Sequence, residues 1–174
     1  MIVPVIGAPG TGKTTVLREV TARYGTPHFE LSWMPEFLRM NGAPIAYEAD
    51  ETIAISALLA VGKAYVAGGH RVVFVGDFRL DSLAQVEANL MGVRHQVVRL
   101  VCSDPDLLSA RILDPDRSSG YRDVGEAIRL NAIYASMEAG DHIVIDVAGA
   151  SVDDVVRVLE DQVLGPSGAL RAEA

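Results

Sequence analysis

Residues 7–14 read Gly7-Ala8-Pro9-Gly10-Thr11-Gly12-Lys13-Thr14, the pattern G-x-x-x-x-G-K-[ST]. Glycines in such a run let the backbone curl so that successive N–H groups converge on phosphate oxygens. In this pattern the lysine, Lys13, reaches β- and γ-phosphates, and the hydroxyl of Thr14 ligates Mg²⁺. A helix begun at Thr15 adds its positive N-terminal end. The expected chemistry is the holding of a nucleotide's phosphates and metal.

A second group would act on those phosphates. Val72-Val73-Phe74-Val75-Gly76-Asp77 is an apolar run closed by an acid. Asp77 therefore stands where an aspartate holds Mg²⁺ or takes a proton from a substrate hydroxyl. Phe78 follows it in place of the second acid that activates water in motor ATPases. N-K-x-D base-recognition residues are absent too, and both absences favour transfer over hydrolysis. Arg79 is placed to clamp an acceptor's phosphate or carboxylate. Arg111, Arg117 and Arg122 lie in or beside the polar stretch 114–123, which reads as a mobile lid. Cations there would neutralise the charge that gathers on a transferring phosphoryl group.

The acceptor is expected along His28-Phe29-Glu30-Leu31-Ser32-Trp33-Met34-Pro35-Glu36-Phe37. Glu30 and Glu36 are candidate bases or substrate contacts, and Ser32 sits between them. Trp33, Met34, Phe37 and Met40 could wall an apolar pocket. Between the second and third strands Arg39 is the one arginine, too few for a nucleoside monophosphate, which tilts the reading toward a small-molecule hydroxyl. His28, His70, His95 and His142 have no metal-ligand spacing.

Strands are expected at Ile2–Ile6, His28–Leu31, Arg71–Val75, Gln96–Cys102 and His142–Asp146. Pro4 counts against a central place for the first of them. Helices are expected at Thr15–Tyr24, at Asp50–Ala67, from a Ser82-x-x-Gln85 capping box to Gly92, and from Asp104-Pro105. Two more are expected from Asp123 to Ala139 and from a Ser151-x-x-Asp154 box to about Leu164. Strict strand–helix alternation predicts an α/β fold, a parallel sheet covered on both faces with ligands at the carboxyl ends of its strands. One domain spans 1–164 and a flexible tail 165–174.

Bulk properties agree. The chain has 174 residues, 49% of them hydrophobic and 22% charged, one domain's worth. A net charge of -8 argues against general nucleic-acid binding. The lone Cys102 rules out an intrachain disulfide. No apolar run is long enough for a membrane span and no signal peptide is evident, so a cytoplasmic monomer or homodimer is expected.

The pattern resembles the P-loop small-molecule kinase family, which includes shikimate kinase, gluconate kinase, chloramphenicol phosphotransferase and adenylate kinase-like enzymes. The resemblance rests on Gly7–Thr15, the Arg111…Arg117 spacing and the segment 145–154. It implies a three-layer P-loop NTPase fold with a five-stranded parallel sheet in order 2-3-1-4-5. It further implies ATP as donor, with Arg111 touching it and Val147, Ala148 and Gly149 lying against adenine. Many members carry an aspartate after the second strand as base toward the acceptor, a place that Ser32 takes here. Either Glu30, Glu36 or Asp77 then takes the proton, or no strong base is needed. Two alternatives stay open: a nucleotide kinase, and a nucleotide-dependent switch or ATPase.

Overall fold

The computed structural model describes residues 1–36, 39–40, 43–44, 47–117 and 119–165. Five parallel strands form the main sheet: β1 (Ile2–Gly7), β2 (His28–Glu30), β3 (Val73–Gly76), β4 (Val98–Val101) and β5 (Ile143–Asp146), in the order 2-3-1-4-5. Residues 39–40 and 43–44 pair as a separate antiparallel ribbon.

Six helices surround the sheet: α1 (Lys13–Tyr24), α2 (Tyr47–Ala67), α3 (Leu83–Asn89), α4 (Pro105–Leu113), α5 (Val124–Ser136) and α6 (Val152–Leu159). The alternation of β1 sorts them into two layers. Val3 and Val5 pack with Leu17 and Val20 of α1, Leu108 of α4 and Val156 and Leu159 of α6. Ile2 and Ile6 face the other way, onto Ile55, Leu58 and Leu59 of α2, Val86 of α3 and Tyr134 of α5. Both faces are therefore buried, as parallel strands require.

Pro4 lies in the central strand, the place that the order 2-3-1-4-5 gives β1, although proline counts against such a position. The ladder shows why it is tolerated. Ile2 donates to Arg94 O and accepts from Gln96 N, so even-numbered residues of β1 face the β4 side. There the pairing is an isolated bridge, Ile2 with His95, and resumes only at Val5 with Val98. The missing N–H of Pro4 falls in that gap.

Other boundaries moved for identifiable reasons. Helix α2 starts at Tyr47, ahead of Asp50, and α1 at Lys13. Ser82 makes no capping box, because a 3-10 turn at Leu80–Ser82 leads into α3. Its hydroxyl donates to Glu51 Oε1 at 2.7 Å and Gln85 Nε2 donates to Thr52 O at 3.0 Å, so both residues tie α3 to α2. Lys63 Nζ then donates to Asn89 O at 2.7 Å where α3 ends, before Gly92. Helix α5 stops at Ser136, short of Ala139, because the buried Arg99 of β4 donates to Met137 O and Glu138 O. The box at Ser151 and Asp154 forms as expected, and α6 continues into a π turn at Glu160–Leu164.

Candidate active site at the strand ends

The loop after β1 wraps the start of α1 at the carboxyl edge of the sheet. Its glycines are required sterically. A Cβ at Gly7, where φ is 151°, would sit 2.4 Å from Leu100 O. One at Gly10, at φ 89°, would meet Leu108 Cδ1 at 2.9 Å. Thr11 is buried and donates to Ala8 O at 2.9 Å, bracing the turn.

Lys13 folds back over this loop. Its ammonium donates to Gly7 O at 2.9 Å and Ala8 O at 3.2 Å. Burial lowers its pKa, the Asp77 and Glu30 carboxylates partly restore it, and Arg117 lowers it further. The ammonium thus feels two acids, Glu30 of β2 and Asp77 just after β3, and one cation of the 114–123 loop.

Those acids are neighbours by register. Glu30 of β2 pairs with Gly76 of β3, so Glu30 stands beside the turn that carries Asp77. Asp77 adopts φ 68°, the one positive φ outside glycine among the described residues, a conformation aspartate tolerates better than most. Glu30 is 5% exposed. One carboxylate oxygen accepts from Thr14 Oγ1 at 3.1 Å and the other, Oε1, is buried with no partner. Burial pushes its pKa up, Thr14 opposes this, and Asp77 adds to the rise.

A cleft of about 870 Å³ joins these parts. Pro9 to Thr15, Glu30, Ser32, Trp33, Asp77, Arg111 and Arg117, all candidates from the sequence, line it. Gly7 and Ala8 form the loop beneath and reach Lys13 through their carbonyls. The remaining expected residues lie elsewhere. Arg79 is not on the cleft wall and is held to Asp81 at 3.0 Å, with Glu51 at 3.9 Å. Arg122 turns back to the carbonyls of Ser119 and Tyr121. Ala148 and Gly149 are off the wall, where Val147, Ala150, Ser151 and Val152 stand instead. Asp146 explains this turn: its carboxylate accepts from Ala148 N at 2.9 Å and Ser103 N at 3.0 Å. Phe37 lies outside the described residues, as do the side chains of Glu36, Arg39 and Met40.

Tyr121 and Arg18 are among the lining residues that the sequence does not single out. Tyr121 was read only as part of a polar loop. Arg18 lines the cleft near Glu30, and no hydrogen bond or ion pair holds its guanidinium among the described residues. A usable signal existed, because Thr14 and Arg18 are four apart and share one face of α1.

The residues present fit a magnesium nucleotide. The glycine cradle leaves room for phosphate oxygens, and Thr14, Asp77 and Glu30 supply oxygen donors. Among the described residues no three His, Cys, Asp or Glu cluster as a self-contained metal site. Mg²⁺ characteristically takes one or two carboxylates and completes its shell with phosphates and water.

Comparison with solved structures agrees with the topology. A tunicamycin resistance protein from Deinococcus radiodurans superimposes with TM-score 0.72 at 19% identity, over 93% of this chain and 94% of that one. A gluconokinase from Sinorhizobium meliloti gives 0.57 at 19% identity, over 89% and 86%. Shikimate kinase from Acinetobacter baumannii gives 0.57 at 18% identity, over 91% and 90%. The chain has the P-loop kinase fold. No family model matches it, and no curated protein does. The cleft lies at the carboxyl ends of the strands, where open α/β sheets bind ligands. No helix among the described residues is long and apolar enough to cross a membrane.

Proposed function

We propose that the protein is an ATP- and Mg²⁺-dependent kinase that phosphorylates a hydroxyl group of a small molecule. One observation carries the reading. A buried carboxylate, Glu30, keeps an oxygen without a partner in the same cleft as the glycine-rich loop, Arg111 and Arg117.

Each residue then has a task. Lys13 and the backbone amides of the loop hold the β- and γ-phosphates, a role its present carbonyl partners can yield to. Thr14 and Asp77 would hold Mg²⁺. The bound Mg²⁺·ATP supplies the phosphoryl group and screens its charge. Arg117 and Arg111, both on the cleft wall, set positive charge against the oxygens where charge accumulates. Glu30 accepts a hydrogen bond from the acceptor hydroxyl and orients it. Its raised pKa makes it a better proton acceptor than an ordinary glutamate. Trp33 and Ser32 border the acceptor, and Arg18 faces it from α1. Phosphoryl transfer is mostly positioning and charge stabilisation, so Ser32 in place of an aspartate is tolerable when Glu30 takes the hydroxyl.

The position of Arg79, tied to Asp81 off the cleft wall, speaks against a phosphate-bearing acceptor clamped there. The setting proposed is the cytoplasm, with no nucleic acid among its partners.

The test is a mass-spectrometric screen with ATP and Mg²⁺ for acceptors that gain one phosphoryl group. Tunicamycin, gluconate and shikimate belong in the panel, given the structural neighbours. Lys13→Ala should keep the fold, judged by circular dichroism, and lower kcat by about 10²–10³-fold, the usual cost of removing one such charge-stabilising donor. Full activity in that variant would overturn the proposal.

A further inference from the structure

Five buried polar side-chain atoms lack a hydrogen-bond partner among the described residues: His28 Nε2, Glu30 Oε1, Arg99 Nε, Tyr121 OH and His142 Nδ1. Only two of these residues, Glu30 and Tyr121, line the cleft. Glu30 has a task above. Tyr121 has none.

The backbone of Tyr121 is held firmly while its hydroxyl is not. Its N–H donates to Ser119 Oγ at 3.2 Å. Its carbonyl accepts from Arg117 at 3.3 Å and from Arg122 at 2.9 Å. Two residues on, Asp123 caps α5 through Glu126 N at 2.9 Å, which fixes where the loop meets the helix. A surface tyrosine would leave its hydroxyl in water, and a structural one would bond it to protein. This one is desolvated without either, and buried polar groups of that kind are uncommon in native folds.

A phenol offers one proton and prefers a charged oxygen as partner. The cleft wall carries the cations Lys13, Arg18, Arg111 and Arg117 together with the acids Glu30, Asp77, Asp114 and Asp116, and an anionic ligand oxygen is held where the cations lie. Arg117, bonded to the Tyr121 carbonyl, ties the phenol to the turn that presents the phosphoryl-neutralising guanidinium. We propose that Tyr121 is a phosphate-contacting residue whose hydroxyl donates to a phosphoryl oxygen of the bound nucleotide, beside Arg117. This rests on the nucleotide-binding reading above and adds to it a contact that does not depend on side-chain charge.

Tyr121→Phe removes that one atom and keeps the ring. Wild type and variant are compared by calorimetric titration with a non-hydrolysable ATP analogue and Mg²⁺, and by thermal melting without ligand. The expected result is a Kd weakened about tenfold or more, as for a lost hydrogen bond to a charged group. The ligand-free variant should melt no lower than wild type, since an unpartnered hydroxyl contributes nothing to the folded state. Equal Kd values overturn the assignment while leaving nucleotide binding intact. A lower melting temperature of the ligand-free variant also overturns it, because the hydroxyl then has a structural partner. If wild type binds no analogue, the nucleotide reading itself fails and this contact fails with it.

Discussion

Replacing Glu30 by Gln should make the protein more stable and less active, and the stability gain should depend on pH. Glu30 is almost fully buried, with Oε2 bonded to Thr14 and Oε1 to nothing. Burial raises its pKa above the ordinary 4.5. The native state therefore holds the Glu30 proton more tightly than the unfolded chain does. Between the ordinary value and the raised one the folded protein binds more protons, so stability falls as pH climbs through that window. The cost of ionisation is absent below the ordinary value and complete above the raised one. Gln keeps an oxygen for Thr14 and carries no charge toward Asp77. Relief of one orphaned, charged oxygen is worth about 1–2 kcal/mol, the low part of the usual range because the new amide N–H₂ also wants partners. In a domain of this size that raises Tm by about 2–8 °C. Differential scanning calorimetry from pH 4 to pH 8, about the range that brackets a raised carboxyl, should show the two proteins converging at the acid end and diverging at the basic end. Activity should drop by about 10²-fold or more if Glu30 handles the acceptor proton. A variant that melts lower than wild type at pH about 8, or by a pH-independent amount, would refute the reasoning, because Glu30 would then have a partner in the folded state.

The remaining predictions concern the loop and the acceptor wall. Gly7→Ala should cost more than about 2 kcal/mol in urea unfolding, since its Cβ would lie 2.4 Å from Leu100 O in a backbone conformation alanine resists; a change near zero would mean that the loop is not packed against β4 as described. Arg18→Ala should leave stability within about 0.5 kcal/mol, as for an exposed side chain without a partner. It should raise the KM for the acceptor and leave that for ATP unchanged, and an altered KM for ATP alone would place Arg18 on the donor side.

The architecture was legible because its determinants are local. Apolar runs of strand length alternate with capped helical stretches, and Asp104, Asp123 and Ser151 each cap the helix they were read to cap. What failed depended on contacts between elements. Ser82 and Gln85 spell a capping box, yet they bond to α2, which no local pattern announces. Arg99 of β4 is buried beneath the end of α5 and shortens that helix, a contact no local pattern announces. Pro4 was read by its missing donor alone, and its tolerance depends on a gap in the partner strand. Ala148 and Gly149 were placed by resemblance, and the carboxylate of Asp146 turns that backbone so that Val147 and Ala150 take the wall.

The electrostatics of the site follow from the same distinction. The chain carries 23 acids, and no spacing rule singles out two of them. Glu30 and Asp77 are 47 positions apart, and they meet because β2 and β3 pair in parallel with Glu30 opposite Gly76. A shift of that register by one residue would turn Glu30 to the other face of the sheet and separate it from Thr14. The apolar run of β3 and the single apolar residue of β2, Phe29, meet in this ladder, and its register puts a carboxylate that resists ionisation beside Lys13. Core packing thereby fixes the protonation chemistry of the cleft, so a substitution at Phe29 or Val75, which pair in the same ladder, should disturb the site without touching it.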